Sequence, residues 1–198
     1  MAIEYIGNKA QLIDRIWRAM RGHLREETKG FADLFCGTAS VSHFMRARGF
    51  RVTANDSLLL CATFAEAALL TEIPPSFAGL ADAGLLEGAA HSRYAELLRI
   101  LNGLPPVEGF MFRTYSPASL DHGASEARMY FTKKNGGKLD AMRRQIAQWR
   151  PHMTTAEHAF LLVDLVKAAN LVSNIAGTYG CYLKDWKSRA LHPVEVTE

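Results

Sequence analysis

Residues 31–56, FADLFCGTASVSHFMRARGFRVTAND, restrict the fold more than any other stretch of the chain. A short apolar run from Phe31 to Phe35 reads as a buried strand and is followed by a glycine turn at Gly37. Thr38 to Arg48 reads as a helix closed by Gly49, and Arg51 to Ala54 as a second short strand, with the acid Asp56 just past its end. Strands joined through a helix lie parallel, and the crossover is right-handed. The stretch is therefore the opening of a doubly wound α/β sheet. Helices are expected on both sides of it. Asn8 to Arg21 carries Ala10, Leu12, Ile13, Ile16, Trp17 and Met20 near helical spacing, and Ser57 to Leu70 is apolar and alanine-rich.

From Ile73 onward the character changes. Pro74-Pro75, Gly79, Gly84 and Gly88 interrupt the chain before a helix expected over 90–101, and NGLPPVEG interrupts it again before the aromatic stretch FMFRTYSPASLDHG. Further helices are expected over 137–149 and 155–170. The closing SNIAGTYGCYLKDWKSRALHPVEVTE reads as an ordered loop with a terminal strand. Only two strands are convincing, and a doubly wound sheet needs more. Either strands hide in the second part, or the sheet is completed by something else.

Composition excludes some classes. With 48% hydrophobic residues in 198, a real core can be buried, while no run approaches the roughly 20 apolar residues of a membrane span. The start, MAIEYIGNKAQ, lacks a signal-peptide pattern, so a cytoplasmic protein is expected. Cys36, Cys61 and Cys181 are widely spaced and fit reduced thiols better than a disulfide framework. His152 and His158 do not have the spacing of a helical metal pair, and no metal site is expected. The net charge of +3 is unevenly spread: Arg128, Lys133, Lys134, Lys138, Arg143, Arg144 and Arg150 are opposed within their stretch by Asp140 alone. Such a run is either a solvated helix face or a surface for a polyanion.

The turn at Gly37 brings backbone N–H groups and a helix start towards a ligand, and Asp56 is placed to accept from ribose hydroxyls. That much says only that an adenosine-type cofactor fits. Neither the full G-x-G-x-x-G fingerprint nor a G-x-x-x-x-G-K-[ST] phosphate loop is present. S-adenosylmethionine has no phosphates to cradle, so a reduced glycine loop suits it better than NAD or ATP. Cys36 has no neighbouring histidine or lysine to make a thiolate and reads as a small buried hydrophobe.

YIGNK at Tyr5 to Lys9, FADLFCGTASVS at Phe31 to Ser42 and ANDS at Ala54 to Ser57 occur in the order and spacing of Dam-like adenine-N6 DNA methyltransferases. The resemblance continues through RMYFTKKNGGKLDAMRRQIAQW and VSNIAGTYGCYLK, and so covers nearly the whole chain. It implies S-adenosylmethionine as cofactor and DNA as partner. It places Tyr5, Gly7, Asn8 and Lys9 along the cofactor pocket, Asp33 and Phe35 around the methionine part and the adenine side, Gly37 at the close approach, and Asn55 and Asp56 at the ribose. Taken singly, Tyr5 and Phe35 could equally be core aromatics, and Asp33 a strand-end acceptor.

The resemblance also implies three segments: a cofactor-binding part over 1–72, a mainly helical target-recognition region over 73–184, and a return towards the sheet or a partner over 185–198. Arg128, Lys133, Lys134, Lys138, Arg143 and Arg144 would contact phosphates, and Thr132 and Asn135 would reach base edges or the sugar-phosphate backbone. Tyr179, Tyr182 and Lys184 would approach the target site, where an aromatic can fill the gap left by a flipped base; packing is the rival role for both tyrosines. The family's acid-Pro-Pro-aromatic motif, which holds the target amine, is absent. IPPS and LPPV have no acid before them and no aromatic after them. Three explanations stand: a subunit of a split enzyme whose partner chain brings the motif and completes a partial Rossmann-like sheet, a non-catalytic DNA-binding regulator or remnant, and a fragment of a longer enzyme. The first is favoured because the cofactor motifs are kept together.

Overall fold

A computed structural model of the chain describes residues 8–70 and 74–197. Tyr5 and Gly7 lie outside the described residues. The chain divides into two compact units, Met1–Ile73 and Pro74–Glu198.

In the first unit, a 3-10 turn at Ala10–Leu12 leads into α1 (Ile13–Arg21), followed by β1 (Gly30–Asp33), α2 (Ser40–Ala47), β2 (Arg51–Ala54) and α3 (Leu59–Leu70). β1 and β2 pair in parallel, with Phe31 opposite Val52 and Asp33 opposite Ala54, as the glycine-punctuated sequence requires. The rings of Trp17 on α1 and Phe44 on α2 meet edge to face at 6.0 Å. The Arg48 guanidinium lies 3.4 Å over Phe44, a cation–π contact that closes the end of α2.

This small sheet is poorly covered. Among the described residues it has only the two strands, whose side chains alternate between exposed and half-buried. Parallel strands are ordinarily buried on both faces. Leu34, Phe35, Leu58, Leu59, Leu60 and Leu70 are all exposed, although α3 (LLCATFAEAALL) is apolar on nearly every side. Arg51 N–H donates to Lys29 O and Asn55 N–H to Asp33 O, so these β2 residues face β1. By strand alternation, the backbone groups of Val52 and Ala54 point to the open edge. A groove of about 600 Å³ runs along that edge, lined by Phe50, Val52, Ala54, Ala65 and Leu69.

The second unit is helical: α4 (Ala78–Asp82), α5 (Arg93–Gly103), α6 (Phe110–Tyr115), α7 (Lys133–Trp149), α8 (Thr155–Leu171) and α9 (Ser188–Leu191), with 3-10 turns at Pro117–His122 and Arg150–His152. Leu97, Leu101, Phe131, Met142, Ile146 and Leu161 are the centre of its core. α7 begins a turn earlier than the sequence suggests, because Gly136 and Gly137 serve packing and do not break the helix. A Cβ at Gly137 would lie 2.9 Å from Val107 O, and one at Gly136 would lie 3.2 Å from Phe112 Cα. Asp140 on α7 accepts from the N–H groups of Met111 and Phe112 and so caps the start of α6. We expect Gly137→Ala to cost about 1–3 kcal/mol by forcing these segments apart; a thermal melt of the variant checks this, and an unchanged midpoint refutes it.

Residues 185–197 pack within the helical unit, and no terminal strand forms among them. Val194 and Val196 are buried in the helical core. Three asparagine side chains hold this irregular tail. Asn174 donates to Leu183 O and accepts from Lys187 N–H. Asn135 donates to Ala190 O and His192 O and accepts from Val194 N–H. Asn102 pairs with both backbone groups of Val196. An amide side chain offers a donor and an acceptor at once, so it replaces the strand that this tail does not have.

Candidate functional site

The loop between β1 and α2 is held from both strands. Asn55 O accepts from Cys36 N–H at 3.0 Å, and Asn55 Nδ2 donates to Leu34 O at 3.1 Å. One oxygen of Asp56 accepts from Gly37 N–H at 2.9 Å and the other from Leu58 N–H at 3.0 Å. The Leu58 and Gly37 N–H groups hold the Asp56 carboxyl below its usual range. Gly37 has φ +53°, in the left-handed region that glycine tolerates, and Ala39 repeats that conformation at φ +57° while fully buried. A non-glycine residue there is under roughly 1 kcal/mol of strain, as at many ligand-binding loops.

Within this loop, Asp33 at the end of β1 accepts at 2.6 Å from the Ser42 hydroxyl, on the first turn of α2. Asn8 Oδ1 accepts from Ala10 N–H and from the hydroxyls of Thr38 and Ser40. Lys9, Asp33, Phe35, Thr38 and Ser40 surround a single small notch. The side chain of Phe35 is 80% exposed. The structure thus brings Asn8, Lys9, Asp33, Phe35, Gly37, Asn55 and Asp56 into one neighbourhood. Cys36 is buried in it. Burial first, then the Asp33 and Asp56 carboxylates, push its thiol up, which matches the inert hydrophobe expected from sequence.

The residues named for DNA scatter more widely. Lys134, Arg143, Arg144 and Lys184 are exposed, and among the described residues none of them has an ion-pair partner. Lys133 is exposed beside Asp121 at 3.5 Å. Arg128 donates to Thr114 O and is otherwise solvent-facing. Lys133 and Arg144 are eleven residues apart, which places them on one face of α7 about 16 Å from each other.

Three of these side chains have structural partners of their own. Asn135 is 2% exposed with its amide committed to the C-terminal tail, so it cannot read a base edge. Thr132 is the N-cap of α7, its hydroxyl accepting from Asn135 N–H. Lys138 is half-buried and its ammonium caps the end of α5, donating to Asn102 O and Leu104 O; burial pushes it below the usual lysine range. The tyrosines divide. Tyr182 is half-buried, packs edge-on against Tyr130 at 5.1 Å and donates to Glu126 at 2.6 Å. Tyr179 is 44% exposed, but its hydroxyl donates to Asn170.

Comparison with known proteins decides what this arrangement belongs to. A family model for D12 class N6 adenine-specific DNA methyltransferases matches residues 5–196. The chain belongs to this family. It is 32% identical over 191 residues to the type II methyltransferase M.FokI of Planomicrobium okeanokoites, a match that covers 96% of this chain and 28% of that protein. It is 31% identical to the modification methylase StsI of Streptococcus sanguinis, covering 99% and 28% of the two chains. It is also 31% identical to the type II methyltransferase M.NlaIII of Neisseria lactamica, covering 98% and 53%. The chain therefore spans between about a quarter and about half the length of these relatives. No solved structure matches it significantly.

For a member of the D12 family, sequence reasoning missed Ser42, Thr38 and Ser40 around the loop and Glu126 beside Tyr182. Ser42 alone had a usable signal: it falls nine residues after Asp33, which is the length of the turn plus one helical turn.

Proposed function

We propose that the chain supplies the cofactor-binding face and the DNA-contacting surface of an S-adenosylmethionine-dependent adenine-N6 DNA methyltransferase. In this reading, the acid-Pro-Pro-aromatic element that holds the flipped adenine comes from polypeptide outside these residues, as the second subunit of a split enzyme. The observation that carries the reading is the convergence of Lys9, Asp33 and Phe35 on one notch. A carboxylate beside an ammonium matches the zwitterionic end of methionine, and an exposed aromatic suits an apolar or π-faced group. Among the described residues nothing donates to Asp33 Oδ1, so one oxygen is open to an ammonium. Asp56, at the end of the neighbouring strand, is the acceptor this reading gives to the ribose, with both of its oxygens already steadied by backbone N–H groups. When bound, S-adenosylmethionine supplies an electrophilic methyl group. The chain's own residues hold and orient it.

The uncovered sheet supports the second half of the proposal. The backbone edge at Val52 and Ala54, the adjacent groove and the exposed Leu34, Leu58 and Leu59 form the kind of surface that further strands cover. Two experiments test the function. The full chain should bind S-adenosylmethionine but transfer no methyl group to adenine, and co-expression with a polypeptide carrying the missing motif should restore transfer. Methylation by the chain alone refutes the split; DNA binding without cofactor binding favours a regulator.

For the DNA surface we expect replacement of Lys134, Arg143 and Arg144 by glutamine to weaken binding of unrelated duplexes alike. For every phosphate that is no longer neutralised, the slope of log K against log salt should become shallower by about 0.9. A salt titration by fluorescence anisotropy measures this, and an unchanged slope removes α7 from the interface.

A further inference from the structure

Ser42 is fully buried, yet its hydroxyl is 2.6 Å from Asp33 Oδ2 and joins the end of β1 to the first turn of α2. A buried hydroxyl that donates to a carboxylate fixes both the rotamer of the acid and which of its oxygens is open. Here it engages Oδ2 and leaves Oδ1 without a donor among the described residues, on a side chain that lines the notch together with Lys9 and Phe35. From this geometry we infer that Ser42 is the positioning residue of the cofactor site, aiming Asp33 at the ammonium of the methionine moiety. The inference rests on the cofactor reading above and deepens it, since it assigns recognition of the amino-acid end to a Ser42–Asp33 pair. Asp56 and Gly37, tied to each other across the strand ends, serve the nucleoside end.

Two ligands separate these ends. S-adenosylmethionine carries both, whereas 5′-methylthioadenosine has the nucleoside and lacks the amino acid. With Ser42→Ala in the full chain, titration calorimetry should show about a tenfold or greater loss of S-adenosylmethionine affinity and unchanged 5′-methylthioadenosine affinity. Ser42→Thr, which keeps the donor, should restore binding. Ser42→Cys, close in size with a weaker donor, should fall between, and it serves in place of the alanine variant if that variant does not fold. Equal weakening of both ligands makes Ser42 a mere prop for the loop and overturns the inference, as does an alanine variant that binds S-adenosylmethionine normally. A wild-type chain that binds 5′-methylthioadenosine and S-adenosylmethionine equally well also overturns it. A wild-type chain that binds neither overturns the cofactor reading itself, and the inference with it.

Discussion

Replacing Asn135 with alanine should lower the thermal midpoint by about 10 °C. The substitution leaves Val194 N–H and Ala190 O, both on buried residues, and the more exposed His192 O without the partners they have now. Each buried group left unpaired costs about 1–3 kcal/mol, and 1 kcal/mol moves the midpoint of a chain this size by roughly 2–4 °C. Asn135→Asp should be nearly as damaging. An aspartate can still accept from Val194 N–H, but it has nothing to donate to two carbonyls, and its charge would be buried among them. Differential scanning calorimetry with a DNA-binding assay distinguishes a structural role for this residue from DNA contact. A variant that melts like the parent but no longer binds DNA would restore Asn135 to the interface and undo the structural assignment.

Asn135 also marks where the sequence stops being informative. Its neighbours are basic and its type is common at base edges, so a local reading sends it to DNA. Its partners are 55 to 59 residues away in an irregular tail, and no periodicity announces such a pairing. The structural roles of Thr132 and Lys138 are hidden from sequence in the same way. Capping and burial depend on what packs against a helix, and Gly136 and Gly137 look like helix breakers until α6 is placed beside them. The first unit was far more legible. Its strands and crossover follow from short-range pattern, and the separation of Asp33 from Asp56 follows from the parallel register of β1 and β2. The shortage of strands was legible too, because counting them needs only composition and turn signals. What covers Leu34, Phe35 and Leu59 was not, since a sheet edge states only that it is unpaired.

Asp56→Ala should weaken S-adenosylmethionine binding by about 100-fold and leave the DNA affinity of the helical unit as it was. The sequence assigns Asp56 to the ribose alone. The structure gives it a second task, because its carboxylate bridges Gly37 N–H and Leu58 N–H and so ties the cofactor loop to the start of α3. The alanine variant removes the proposed ribose acceptor and the loop tether together, so its effect should exceed that of deleting either one. Asp56→Asn keeps a single acceptor oxygen and can hold one of the two N–H groups, so its effect should be smaller, near tenfold. The pH dependence has a definite sign. The folded-state pKa is depressed by those N–H groups, so the tether is intact above the ordinary aspartate value of about 4 and is lost as pH falls through the lower folded value. Cofactor affinity measured from neutral pH downward should therefore persist through the ordinary aspartate range and fall only as pH drops through the lower folded value, with Asp56→Asn showing a flatter profile than the parent. Equal profiles for parent and Asp56→Asn, or an alanine variant that binds the cofactor normally, would show that the loop is held by Cys36–Asn55 and Asn55–Leu34 alone.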